Sequence, residues 1–469
     1  MITSDEVLKR MTDHPYEAII RMFLMVSITF IVIRVNGFLD TYWISHLSTE
    51  ASAAVSLVNP IYSIVSALGL GVGSGVCVCI SYRLGQHDYE TANRMAGTAM
   101  VIGLVVSIPA ILFLILGTDM MFTFVDKEVI RGLTREYVLP LAIGAPALII
   151  AGIVTNFLKS EGAMRSMTFC CLVSIPVNAL LTPVFVYTCG WGISGASAAT
   201  VLGSLTSIIV GLLILRTGRF HIRPKIIKPT SAHVKEVLGI GFPKTIEGFL
   251  GGLTILVQNM VLLYNVGADC VAIHGIALSM VHLFTVISDS MGAAAQPVCS
   301  IAAGSRRIES MKRSMMFSAA VVIVLSIIVV IALELFAPQA IQLYTEGAVS
   351  ELEDNLVIAL EVYALMLPFF LLRRLASTLM QVLRKSYVWT PTYLLLIFLN
   401  VLLVSLFAND MQSMLITIVL SYTIPGIVAC MMTVYYSRRY DPDVIETMIE
   451  KGKATPFRVK ADPERPGAS

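Results

Sequence analysis

Asp40 stands within the first long apolar stretch, in NGFLDTYWISHL, with Asn36 one helical turn before it on the same face. A bare carboxylate in hydrocarbon is costly, and most of that cost disappears once it holds a proton or meets Na+. The pair therefore predicts a cation-coupling position. Arg34 is the competing partner, but six residues separate it from Asp40, about 600° around a helix, so the two side chains point to different faces. Asn178 and Thr182, four apart in SIPVNALLTPVF, and Thr200, closing GASAAT, offer neutral oxygens. With Asp40 and Asn36 they would complete a small site for a hard cation such as Na+. Taken singly, each is an ordinary interhelical hydrogen-bonding residue.

A second set of polar residues lies in the other half. Lys244 and Glu247 are three apart and able to pair. His274 and His282 are eight apart on roughly one face, with Asp289 seven further on, a spacing compatible with a proton relay or with paired structural residues. Arg373 and Arg374 are adjacent in an apolar run, and neighbours diverge by about 100° on a helix, so both cannot face lipid cheaply. Glu247, His282, Asp289, Arg373 and Arg374 are the candidates for a substrate cavity; the arginines would attract an anionic group or hold Glu247, Asp289 or Glu361 ionised. The run GLGVGSG has the glycines of a phosphate loop but no following Lys-Ser/Thr and no strand, and reads as close helix packing.

These groups need elements that hold them inside a membrane. The chain has 469 residues, 56% hydrophobic and 14% charged, against roughly 25% charge in soluble domains. The mean hydropathy is +0.81. An ordinary cytosolic enzyme, a disordered chain and a nucleic-acid binder are excluded, and a net charge of +2 gives no hold on a polyanion. Twelve helices are predicted, at about 17–45, 52–83, 92–117, 137–159, 167–188, 193–215, 234–264, 270–298, 312–337, 356–383, 387–408 and 411–437. Runs such as VVIVLSIIVVIAL lack the alternation of a barrel strand. Of the 33 basic residues, 26 fall on the side of the two termini and three, Lys127, Arg131 and Arg135, on the other, where acids such as Glu351, Glu353 and Asp354 gather. Both termini are expected in the cytoplasm. The start, MITSDEVLKRMTDHPYE, is polar and unlike a cleaved signal peptide, and the eight cysteines read as small buried hydrophobes.

The halves repeat. A shift of 219 superposes Ala53 on Ala272, Gly73 on Gly292, Gly85 on Gly304 and Arg94 on Arg313, and places Asp40 on Asn259; a shift of 222 superposes Pro146 on Pro368 and Asn178 on Asn400. Six spans per half is an even number, so the repeats run parallel, about an axis normal to the bilayer. The expected fold is an all-α polytopic membrane protein of twelve transmembrane helices in two six-helix bundles related by a parallel internal repeat. The expected organisation is a cytoplasmic tail (1–16), a bundle (17–215), a basic linker (216–233), a second bundle (234–437) and a solvated, partly disordered tail (438–469). Pro60, Pro109, Pro146, Pro176, Pro183, Pro243, Pro368 and Pro425 permit bends, as static kinks or as hinges.

From about residue 15 to 437 the chain resembles the multidrug and toxic compound extrusion (MATE) family. The resemblance is carried by Asp40 with WISHLSTEASAAVSLVNP, by GLGVGSGVCVCISYRLGQHDYETA, PVNALLTPVF and GWGISGASAAT, and by GIGFP with GADCVAIHGIALSMVHLF. It implies export of drugs, often organic cations, in exchange for Na+ or H+, with coupling ligands at Asp40, Asn178, Thr182 and Thr200. Two departures stand out. Thr182 replaces the family's second Asp, and the proline early in span one is missing from RMFLMVSITF, so neither a carboxylate pair nor a proline bend is supplied. The expected protein is a monomeric antiporter of the plasma membrane, its partners a small-molecule substrate and the lipid bilayer. No nucleic acid and no cofactor beyond the coupling ion are expected. A flippase or exporter of lipid-linked or anionic polysaccharide precursors is the alternative, since Arg373-Arg374 would suit a pyrophosphate. HExxH, GxSxG and a pair of catalytic aspartates are absent, so an intramembrane enzyme is not expected.

Overall fold

A computed structural model describes residues 4–121, 128–224, 228–345 and 353–450. Lys127, Glu351 and the tail beyond 450 lie outside the described residues. All regular structure among those described is helical: α1 (Ser4–Asp13), α2 (Pro15–Ser45), α3 (Thr49–Gly85), α4 (Tyr89–Met121), α5 (Glu128–Ser160), α6 (Met164–Pro183), α7 (Ile193–Arg216), α8 (Ser231–Asn265), α9 (Ala268–Leu283), α10 (Thr285–Gly304), α11 (Ile308–Thr345), α12 (Glu353–Ala364), α13 (Leu367–Val382), α14 (Ser386–Phe407), α15 (Met411–Arg438) and α16 (Pro442–Glu450). Eleven spans are long and apolar enough to cross a membrane, α9 and α10 forming one, and α12 with α13, bent by 50°, makes a twelfth. The chain is a multi-pass membrane protein.

The spans match the hydropathy windows, with two instructive differences. Helix α5 begins at Glu128, well before the expected 137, because its first turns are polar and hydropathy cannot see them. Span ten is broken. Pro368 has no N–H to offer the carbonyl of Ala364, so α12 stops there and α13 restarts with the proline in its first turn. Its repeat partner Pro146 sits inside an unbroken α5. Pro140, Pro297, Pro338 and Pro391 also lie within helices, and α11 leaves helical geometry at Phe336, just ahead of Pro338.

Helices α4–α7 pack with one another and α3, and α9 and α11–α15 mainly with their own half, while α8 and α10 lie against α3, and α10 against α2, joining the two halves. The repeat survives as geometry. His87 and Arg306, 219 apart, both take left-handed backbone at φ 59° and 57°, and Gly162 and Arg384, 222 apart, do so at 70° and 57°. The ends of α3 and α10 cross reciprocally: a Cβ on Gly85 would collide with the carbonyl of Ile301, and one on Gly304 with the carbonyl of Tyr82. Residues 82 and 85 correspond to 301 and 304 under the same shift, so the pseudo-twofold axis passes through this crossing.

Contacts joining the halves gather at the end bearing α1 and α16. A Cβ on Gly75 would stand 2.5 Å from the carbonyl oxygen of Val237 and 2.8 Å from Cα of Gly241, and one on Gly71 would strike Thr245. The glycine run is thus a seam where α3 lies backbone to backbone on α8. Beside it Gln381 donates to Ser74 Oγ (3.0 Å) and to the carbonyl of Ile240 (3.2 Å), and Gln296 donates to Gln381 (3.0 Å). Deeper towards that end, buried Glu236 meets Arg384 at 2.7 Å and Arg83 at 3.7 Å, and Arg384 lies over the Tyr82 ring. Both terminal helices bridge the halves: Arg307 reaches Asp13 (3.1 Å) at the end of α1, and α16 offers Glu446 to Gln86 (3.2 Å) and to Arg306 (2.5 Å). The tail is therefore ordered as far as Glu450, with Ile445 and Met448 buried.

Candidate functional site

Five of the residues singled out by spacing converge in the first bundle. Asn36 on α2 donates to Asp40 (3.4 Å) and to Asn178 Oδ1 on α6 (2.9 Å); Thr182 donates to Asp40 (3.4 Å); Asn178 Nδ2 meets the Thr200 hydroxyl on α7 (3.3 Å). With the Asn178 amide turned over, its nitrogen donates to Asp40 (3.2 Å) and its oxygen accepts from the Thr200 backbone N–H (3.1 Å). Asn178 and Thr182 are buried, Asp40 half-buried. Local sequence makes this possible. Gly203 on α7 gives Asn178 the room to approach, since a Cβ there would stand 3.1 Å from Cβ of Asn178. Pro176 and Pro183 bracket the two polar residues, and beyond Pro183 the helix loosens into a single π turn, Val184–Thr188.

Asp40 has no ion pair among the described residues, and Arg34 is exposed. The cluster holds one carboxylate among amides and hydroxyls, and no group of three His, Cys, Asp or Glu arranged for a metal occurs among the described residues. Oxygens of this kind suit a hard monovalent cation, and a proton would serve the same carboxylate.

The second bundle is built differently. The repeat places Asn259 where the first bundle has Asp40, and Asn400 answers Asn178 by donating to Ser421 (2.7 Å). The charges stand elsewhere, around a cavity of about 340 Å³ walled on one side by Ala67 and Leu70 of α3. Lys244, Glu247, His282, Arg373 and Arg374 line it. Lys244 pairs with Glu247 at 3.2 Å, and Ser377 bonds to both. Arg374 grips Asp289, behind the wall, with two contacts of 2.8 Å. Arg373 has no carboxylate among the described residues; its guanidinium lies 5.1 Å from the Tyr393 ring centre and 5.5 Å from that of Phe370, and its Nε is buried without a hydrogen-bond partner. Two acids against three bases leave one positive charge in excess.

The histidine stripe is not joined. His274 is buried against the Tyr363 hydroxyl (2.8 Å), His282 stacks on Phe370, the helix breaks between Leu283 and Thr285, and Asp289 is occupied by Arg374. Ser377, Phe370 and Tyr393 were not among the sequence candidates. Ser377 was within reach of helical spacing, four residues past Arg373; the two aromatics carried no signal.

A family model described as MatE matches residues 26–184 and 252–403. The multidrug export protein MepA of Staphylococcus aureus is 24% identical over 270 residues, covering 57% of this chain and 60% of MepA. MepA of Staphylococcus saprophyticus is 25% identical, covering 53% and 55%. The chain thus spans about 60% of the length of the curated relatives it matches. Among solved structures, a multidrug resistance MATE family transporter in an outward-facing conformation superposes with a TM-score of 0.84 at 22% identity, covering 92% of this chain and 98% of that one. A MOP superfamily transporter of Pyrococcus furiosus, described as having a binding pocket of reversed polarity, gives 0.83 at 22% identity over 94% and 98%. These likenesses fix the fold.

Proposed function

The chain belongs to the MATE family of transporters, and on that premise we propose that it is a secondary antiporter, exporting amphipathic drugs or toxic metabolites, organic cations among them, in exchange for Na+ or H+. The observation that carries this reading is Asp40: a carboxylate within the membrane span, held by Asn36, Thr182 and Asn178 and without a counter-cation among the described residues. Such a group takes up one proton or one Na+ to be neutral. Its neutral partners keep it poised for either.

Both termini lie in the cytoplasm and the membrane is the plasma membrane, in this reading, so the joined end of the bundles is the cytoplasmic one and Asp40 loads from outside. Cation binding drives export only by binding one state more tightly than the other. Counterflow in proteoliposomes under separately imposed Na+ and pH gradients names the ion. Asp40→Asn is expected to reduce gradient-driven efflux of a fluorescent cationic dye by a factor of ten or more; wild-type efflux in that variant would remove the coupling assignment.

A second reading, export or flipping of an anionic lipid-linked precursor, is favoured by the excess charge at Arg373. Arg373→Gln separates the two: a cationic substrate gains or holds transport, and an anionic one loses it.

A further inference from the structure

A pocket of about 460 Å³ lies apart from both sites, enclosed by α1, the first turns of α2, the start of α6 and the stretch following α7. Its wall is mostly apolar and includes Met11, Met22, Met25 and Phe169, the last 54% exposed towards the membrane. Four arginines stand around it: Arg10, Arg21, Arg165 and Arg219. The acid in the wall, Glu161, is turned inward and spent on the Ser4 hydroxyl and the backbone N–H groups of His221 (3.1 Å) and Ile222 (2.7 Å). Arg21 has a loose pair with Glu17 at 3.5 Å; Arg10 and Arg165 form no ion pair among the described residues.

We propose that this pocket binds one anionic phospholipid of the adjoining leaflet, its phosphate among the arginines and an acyl chain along Met22, Met25 and Phe169. Arg10 and Arg165, without a counter-charge among the described residues, repel an organic cation and are wasted on an uncharged lipid. A free phosphate has no use for the methionine wall. Only a molecule that joins a phosphate to hydrocarbon matches both parts. The position fits as well. Helix α1 buries Leu8 and Met11 and exposes Lys9, as a helix lying in a membrane interface does. On the other side of Arg21 and Met25, which line both, lies a second, mostly apolar groove between α2 and α11, with Leu24, Ile20 and Phe317 in its wall and Glu17 at its edge. Since α1 also meets Arg307 of the other bundle through Thr12 and Asp13, a lipid seated here fastens the helix that ties the two halves.

The test is native mass spectrometry of the full chain in detergent, with phosphatidylglycerol and phosphatidylcholine of identical acyl chains. One phosphatidylglycerol is expected to bind with at least tenfold preference. Arg10→Gln with Arg165→Gln is expected to lower that affinity about 25-fold, at roughly fivefold per interfacial arginine, while Arg94→Gln changes nothing and the double Lys variant keeps most of it. Arg165→Gln alone, on α6, reads about fivefold even if α1 undocks in the double variant. Equal uptake of the two lipids, or an unaltered preference in both Gln variants, would overturn the proposal. So would full displacement of phosphatidylglycerol by millimolar inorganic phosphate, which would make the pocket a simple anion site. These readings are taken in detergent and stand apart from the antiport reading and from the orientation of the termini.

Discussion

Thr182 stands where the family resemblance implies a second Asp, and the difference has a physical consequence. A hydroxyl donates to Asp40 where a second carboxylate would repel it. One acid means one charge to neutralise, so in the proposed antiport the site would take one monovalent cation at a time. Thr182→Val keeps the shape and removes the donor. A hydrogen bond to a charged group is worth about 1.5 kcal/mol or more, so the cation concentration for half-maximal transport is expected to shift about tenfold, with maximal rate little changed; a dose curve in proteoliposomes shows it.

His221 makes a second residue-scale prediction. Its Nδ1 meets the Ser4 hydroxyl (2.9 Å) and Glu161 (3.5 Å), its Nε2 meets Asp5 (3.0 Å), and Tyr89 stacks on the ring. The hydrogen bond to Glu161, helped by the charges of Glu161 and Asp5 against the cost of burial, raises its pKa above the usual histidine value. The stabilisation of docked α1 is therefore complete below about pH 6.5, the ordinary histidine value, and is lost as pH rises through the raised one. Hydrogen exchange across residues 4–13, corrected for its intrinsic pH dependence, should accelerate over that window and become flat in His221→Gln.

At the scale of elements, the seam between α3 and α8 depends on glycine because backbone meets backbone there. Gly75→Val places branched carbons where the Val237 carbonyl and Gly241 already stand, and the neighbouring atoms are main chain, which cannot rotate away. This variant is expected to hold the joined end apart and to cut transport at least tenfold, while cysteines introduced along α8 near Val237 label from the side bearing α1. Wild-type labelling would show that the seam does not govern access. Span ten shows the converse: Pro368 breaks the helix, and the restarted α13 presents Arg373 and Arg374 to the cavity from about its second turn.

For the molecule as a whole, the two bundles have diverged in what they do with charge. The first concentrates its polarity in one lone acid with neutral partners. The second pairs its acids with bases and leaves one arginine over. A shared axis passes through the crossing of α3 and α10 at the joined end, where Glu236 is clamped between Arg384 and Arg83. Glu236→Gln leaves Arg384, 2% exposed, without its counter-charge. Breaking one side of a buried pair costs about 3 kcal/mol, so a lower thermal midpoint in detergent is expected together with weaker closure of this end. An unchanged midpoint would mean the cluster is wet and unimportant.

The number of spans, the parallel repeat and the pairings of Asn36 with Asp40 and of Asn178 with Thr182 were legible in the sequence, because lipid forces every span into a helix and helical spacing fixes which residues share a face; the grouping of these with Thr200 across three helices was implied by the family resemblance. The six residues between Arg34 and Asp40 already set them on different faces of one helix. Two things were decided only by the fold. Arg374 takes Asp289 while Arg373 turns to aromatic rings, a division that two adjacent identical residues cannot announce. The first part of the C-terminal tail, read as solvated, folds back as far as Glu450 because α16 finds a buried seat across both bundles, and such a seat exists only once the bundles have come together.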